Sequence, residues 1–204
     1  MPLEAHALYG EDQYFEIWKA AAEHGLPIVV HADRAGGVLP APTSGGYPQY
    51  FLEEYSQQPL YSIAHFCSLL ASGVFARLPS LVFVLADGGF DYLQTLMWRM
   101  DKEWRSARGE VPWVEKSPTL YLADHVRFIV HRSDGPEDPD SFARFVELND
   151  LASVLMYGSN YPSWDYLEAA SLSDSLTDAA STIVMADNAC KLYGLPLARR
   201  VEGP

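Results

Sequence analysis

Leu81-Val82-Phe83-Val84-Leu85-Ala86-Asp87-Gly88-Gly89 is the stretch whose reading decides the fold. Six apolar residues run unbroken into a carboxylate, and two glycines follow. A strand buried on both faces reads this way, because each of its side chains meets an apolar layer. Asp87 then stands just past the strand's C-terminal end, and the glycines let the backbone turn there. Ligands of parallel α/β sheets bind at that end. An aspartate in such a turn also serves as a cap for the following helix. The ligand-side reading gains from the chain's repeating the arrangement.

Upstream, residues 12–24 read as a helix with Phe15, Trp18, Ala21 and Ala22 on one face and Gly25 as its stop. Residues 26–32, Leu-Pro-Ile-Val-Val-His-Ala, read as a short buried strand ending in His31. Residues 33–50 are rich in glycine and proline and form a long loop on the binding side. A second helix is expected over 55–72, its apolar side made of Leu60, Ile63, Ala64, Cys67, Leu70 and Ala71, with Gly73 closing it. Downstream, residues 92–105 carry Leu93, Leu96, Met97, Met100 and Trp104 at helical spacing, and a loop with Pro112 and Pro118 follows. Residues 126–131 are a third strand ending in His131, and 141–149 a helix carrying Phe142, Phe145, Val146 and Leu148. Residues 154–160 are a fourth strand ending in Asn160, and 176–192 the last helical region, stopped by Gly194. The tail 199–204 is expected to fray.

Four strands, each followed by a helix, make an α/β fold with a parallel sheet and right-handed crossovers. The polar strand ends, His31, Asp87, His131 and Asn160, are then expected on one rim, as one site. Residues 1–204 read as a single domain, long enough for one sizeable core. A formal net charge of −13 argues against nucleic acid or an anionic membrane as partner. No apolar run approaches the ~20 residues of a membrane span, and residues 1–6 lack the basic start and apolar core of a signal peptide. Cys67 and Cys190 are the only cysteines and have no CxxC partners, so a reduced, cytoplasmic setting is expected.

Three stretches together resemble the amidohydrolase-related branch of the amidohydrolase superfamily. They are Trp18-Lys19-Ala20-Ala21-Ala22-Glu23-His24-Gly25-Leu26-Pro27-Ile28-Val29-Val30-His31-Ala32, the run from Gly73 through Ala86-Asp87-Gly88-Gly89 to Asp101, and Tyr157-Gly158-Ser159-Asn160-Tyr161-Pro162-Ser163-Trp164-Asp165 with Asn188-Ala189-Cys190-Lys191-Leu192-Tyr193-Gly194-Leu195. That branch includes metal-dependent hydrolases and decarboxylases akin to aminocarboxymuconate-semialdehyde decarboxylase. The resemblance implies a (β/α)8 barrel, of which this chain matches the second half, its strands being the fifth to eighth. The family's His-x-His motif on the first strand has no counterpart, since no two histidines here stand two residues apart.

The resemblance also implies a divalent metal, often zinc, held by the first-strand histidines, a histidine ending the fifth strand and an aspartate ending the eighth. Such an ion lowers the pKa of bound water toward ~7 and polarises a substrate carbonyl or carboxylate. His31 matches the fifth-strand metal ligand. Asp87 matches the sixth-strand position, as catalytic acid or base or as a loop anchor. Asn160 replaces the family aspartate, and an amide is a weaker ligand without useful basicity. Ser163 replaces a common histidine, and Asp165 matches a structural Trp-Asp pair, within conceivable reach of the site. His65 reads as a core or interface histidine, and His131 as a substrate contact or a loop residue. Trp98, Trp104, Trp113 and Trp164 read as core or pocket wall, and Asn188 as a partner of backbone groups.

The implied activity is metal-dependent hydrolysis or decarboxylation of a small carboxylate-bearing or cyclic substrate. The isolated chain is expected to be inactive. It is read as part of a longer enzyme, as a degenerate binding or partner subunit, or as one half of a split enzyme. Open strand edges at 28–30 and 154–157 favour a homo-oligomer or a complementing chain.

Overall fold

Each of the four apolar runs that end in a polar residue forms a strand: β1 (Ile28–Val30), β2 (Phe83–Leu85), β3 (Val126–Val130) and β4 (Leu155–Tyr157). In the first unit β1, β2 and the opening residues of β3 are hydrogen-bonded in that order. β1 pairs with β2 in parallel, Val30 opposite Leu85, and β2 pairs with β3 in parallel, Leu85 opposite Phe128. The structure is a computed structural model that describes residues 1, 7–31, 48–131 and 135–197. The glycine- and proline-rich stretch 33–47 and the tail 199–204 lie outside those residues. The chain forms two compact units, Met1–Phe128 and Ile129–Pro204, and the division falls within β3.

In the first unit a 3-10 turn leads into α1 (Phe15–Glu23), and α2 (Phe51–Ala71) and α3 (Val74–Arg77) lie between β1 and β2. α4 (Leu93–Ala107) and α5 (Pro118–His125) precede β3. The core is an aromatic chain. Trp18 is fully buried, donates Nε1–H to the Tyr9 carbonyl at 2.8 Å and meets Phe83 edge-on at 5.1 Å. Phe83 meets Phe75 at 6.1 Å, and Phe75 stacks on His125 at 4.4 Å. Tyr9 stacks on His65 at 4.0 Å, so His65 is a core histidine, as the sequence suggested. Such pairs add about 0.5–1.5 kcal/mol each beyond area burial.

Several expectations need correcting. β1 is not buried on both faces: Val29 is 40% exposed while Val30 is fully covered. Its outer edge carries Met1, whose amine donates to the Val29 carbonyl at 2.8 Å and whose carbonyl accepts from His31 N–H at 3.0 Å. α2 begins at Phe51, where Glu53 accepts from the Tyr50 N–H as the return half of a capping box. Its buried face is Gln58, Ser62, His65, Phe66, Leu69 and Leu70. Of the expected apolar side, Ile63, Cys67, Leu70 and Ala71 line a cleft of about 430 Å³ whose other walls include Met100 and Trp104 of α4, while Leu60 is 55% exposed. Burial there pushes the Cys67 thiol above its ordinary pKa. Pro118 does not continue a loop but opens α5, where its missing N–H is harmless.

The second unit begins with the last two residues of β3. α6 (Pro139–Leu148) is capped by Asp138, which accepts from Ser141 N–H at 2.9 Å, and it buries Phe142 and Val146. The Ser141 side chain, and then that backbone bond, hold the exposed Asp138 carboxyl below its usual pKa. Gly158 N–H donates to the Val130 carbonyl at 3.1 Å, joining the end of β4 to β3. α7 (Ala169–Asp174), which the sequence reading lacks, precedes α8 (Asp178–Thr182), a π turn and α9 (Asn188–Tyr193). Asn188 Nδ2 donates to the Ala152 and Leu155 carbonyls at 2.8 and 2.7 Å, the backbone-bonding role expected of it. Of the four tryptophans read as core or pocket wall, Trp104 lines the cleft and Trp113 a second pocket beside Phe75 and His125, whereas Trp98 and Trp164 are 66 and 72% exposed.

Candidate functional site

In the first unit the register of β1 and β2 brings two side chains together. Val30 lies opposite Leu85, so His31 and Asp87 leave adjacent parallel strands at the same end. His31 Nδ1 is 3.0 Å from Asp87 Oδ2. The imidazole is 60% exposed and the carboxylate 10%. An ionised carboxylate only accepts, so the proton of this contact sits on Nδ1, and in the neutral ring the lone pair is left at Nε2. A buried acid thus orients an accessible imidazole. The same arrangement serves a general base and a metal-bound histidine steered by an outer carboxylate.

The turn after β2 holds Asp87 in place. Gly88 and Gly89 have φ of +93° and +71°, values that side chains resist. Ser62 Oγ donates to the Asp87 carbonyl at 3.4 Å. A Cβ on Gly88 would come within 2.8 Å of Ser62 Oγ and 3.1 Å of the Gln58 carbonyl oxygen. Gln58 is 3% exposed, and its side-chain amide has no hydrogen-bond partner among the described residues. Sequence reading missed both residues, because polar side chains at 58 and 62 look like a solvated face. Their spacing with His65, at i, i+4 and i+7, was the signal of one polar stripe.

In the second unit the loop after β4 carries Asn160 with φ of +55°. Its Nδ2 donates to Asp165 Oδ1 at 2.7 Å. The other carboxylate oxygen, Oδ2, lies 3.9 Å from His131 Nε2, and the His131 and Asp165 side chains are 8 and 5% exposed. Ser163 donates its backbone N–H to the Asn160 carbonyl at 2.8 Å, closing the turn. Tyr157 donates its hydroxyl to the Leu167 carbonyl at 2.9 Å. Desolvation, with Tyr166 and Glu168 nearby, pushes that phenol upward in pKa, and the Ser159 hydrogen bond opposes it. Thus His31 meets Asp87 in one unit, and Asn160 and His131 meet Asp165 in the other.

The donor set fits a divalent ion poorly. Asp87 is turned to Nδ1 of His31, so the two side chains face each other rather than a shared ion. Asn160 turns its NH2 to Asp165, whose carboxylate is engaged within its own unit. Among the described residues no group of three histidine, cysteine or acidic side chains is placed to hold a metal, and zinc sites use three or four protein ligands.

A family model described as Amidohydrolase matches residues 3–195. No curated protein matches the chain. Among solved structures, an amidohydrolase from Mycobacterium avium subsp. paratuberculosis is 20% identical with a TM-score of 0.69, over 90% of this chain and 46% of that one. The 5-carboxyvanillate decarboxylase LigW from Sphingomonas paucimobilis is 15% identical with a TM-score of 0.65, over 93% of this chain and 56% of that one. A dihydroxybenzoic acid decarboxylase from Polaromonas sp., solved with manganese and the inhibitor 2-nitroresorcinol, is 16% identical with a TM-score of 0.65, over 98% of this chain and 59% of that one. At these identities the likeness is one of fold, and the chain spans roughly half the length of each.

Proposed function

The chain belongs to the amidohydrolase family, and from that premise we propose that it supplies part of a site for a small carboxylate-bearing or cyclic substrate, without turnover as an isolated chain. The His31–Asp87 contact carries this reading. It places an oriented imidazole at the strand ends where ligands of parallel sheets bind. Asp87 keeps the Nδ1 proton and stabilises the imidazolium when His31 takes a proton at Nε2. The family contains hydrolases and decarboxylases, and a proton must move at the reacting group in either reaction.

Were a divalent ion, zinc or manganese, held in a completed site, His31 would give it the same Nε2 lone pair, so the imidazole serves as metal ligand or as proton acceptor and not as both. The remaining ligands come from residues beyond those described, either further sequence or a second chain. A homo-oligomer or a complementing chain is therefore part of the reading. The second reading, a non-catalytic binding subunit, is favoured by the amide at Asn160 where the family resemblance places an acid.

Titration of the chain with 2-nitroresorcinol by calorimetry tests the proposal. Binding that is lost in His31→Ala and weakened in Asp87→Asn supports it. Wild-type binding unaffected by either change, or no binding at all, contradicts it.

A further inference from the structure

The carboxylate of the second unit's loop lies at residue 165, and its nearest amide, at 160, has only one way to face it. A carboxylate accepts and does not donate, so it is the NH2 of Asn160 that meets Asp165 Oδ1 at 2.7 Å. The amide is planar, so this contact directs Oδ1 to the other side. That oxygen has no hydrogen-bond partner among the described residues. Asp165 does not swing freely, because its side chain is 5% exposed and its second oxygen faces the buried His131. Asn160 is itself confined by its positive φ and by the turn closed from Ser163.

We propose that Asp165 is the positioning residue that fixes Asn160 with its NH2 inward and its carbonyl oxygen presented, making position 160 an acceptor for a neutral O–H or N–H of a ligand and not a site for a proton. This rests on the family reading only in treating residue 160 as part of the site. The pairing is a property of the loop itself.

The pairing has a consequence that a surface asparagine would not have. An acid at 160 would put two carboxylates 2.7 Å apart beside a side chain that is 5% exposed, and like charges at that range do not both ionise without cost. Restoring the family's aspartate at 160 alone therefore damages the loop, and it needs the reciprocal change at 165. With an acid at 160 and an amide at 165 the same hydrogen bond reforms in the opposite direction.

The test is a double-mutant cycle on the full chain, with the folding equilibrium constant read from urea unfolding at pH 7.5. Asn160→Asp lowers that constant by at least tenfold, and Asn160→Asp combined with Asp165→Asn restores it to within about threefold of wild type. A double variant no better than the sum of its single changes overturns the proposal. Should Asn160→Asp fail to fold, a second measurement decides on the wild type: hydrogen exchange of the side-chain amides by NMR. Protection of the Asn160 NH2 group, with contacts to residue 165, supports the pairing, and exchange at the solvent rate overturns it. Neither readout depends on 2-nitroresorcinol or on metal, so failure here is separable from failure of the proposed function.

Discussion

Gly88→Ala strikes the point where the first unit's fold and its candidate site meet. Two effects add. At φ +93° a Cβ is strained, by roughly 1–3 kcal/mol. The new methyl also lies 2.8 Å from Ser62 Oγ and 3.1 Å from the Gln58 carbonyl oxygen. The hydroxyl can rotate away, at the loss of its bond to the Asp87 carbonyl. The carbonyl belongs to α2, so the helix must shift by a few tenths of an ångström, a misfit of roughly 1–3 kcal/mol. A total near ~3–4 kcal/mol lowers the melting temperature by roughly 6–16 °C for a chain of this size. Gly109→Ala is the control, because nothing lies within 4 Å of its Cβ. Thermal unfolding followed by circular dichroism reads both. A Gly88→Ala melt within about 2 °C of wild type would refute the argued role of this turn.

Gln58→Met replaces an amide without a hydrogen-bond partner among the described residues by an apolar side chain of similar shape. An unpaired buried amide costs about 1–3 kcal/mol, so the variant should melt higher, and a lower melt would mean that the amide has a use in the fold. Burial lowers the pKa of His125, with the Leu81 carbonyl opposing it. The unfolded chain then holds this proton more tightly, so stability is full above the ordinary imidazole pKa of ~6.5 and falls as pH drops through it toward the folded value. His125→Phe should flatten the fall in melting temperature between pH 7.5 and pH 5.5, and an unchanged slope would assign the acid loss elsewhere. Phe83→Ala removes the ring joining Trp18 to Phe75 and should cost about 3–5 kcal/mol in urea unfolding, whereas a loss under about 1 kcal/mol would mean that the aromatic chain is not the core.

The strands are legible in the sequence because an apolar run closed by a polar residue has few other solutions. The runs before His31, Asp87, His131 and Asn160 all contain strands. Their burial is less legible. Val29 reads as core yet is 40% exposed, because burial depends on what covers a strand and not on the strand's own residues. α5 is missed because Pro118 reads as a loop signal, although proline suits the first turn of a helix. On α2 the apolar stripe is visible but its face is not. The helix turns Gln58, Ser62 and His65 inward because Tyr9 and the turn at Asp87 offer them partners or close contact.

At the candidate site the residue types are legible, but their pairings are not. The sequence offers His31 and Asp87 as separate positions, and only the register of β1 on β2 sets them 3.0 Å apart. Asp165 is visible as a neighbour of Asn160 in the chain. Its place as the acceptor of that amide depends on a positive φ at 160, which no spacing rule supplies.

The measurement closest to the central claim is metal content. The chain is incubated with zinc or manganese, dialysed, and examined by elemental analysis beside His31→Ala. One histidine steered by a carboxylate, with an amide at 160, leaves most of an ion's coordination to water. The account predicts far less than one metal per chain, falling further in His31→Ala. One tightly held metal per wild-type chain would contradict it, and would show that the isolated chain carries a complete centre.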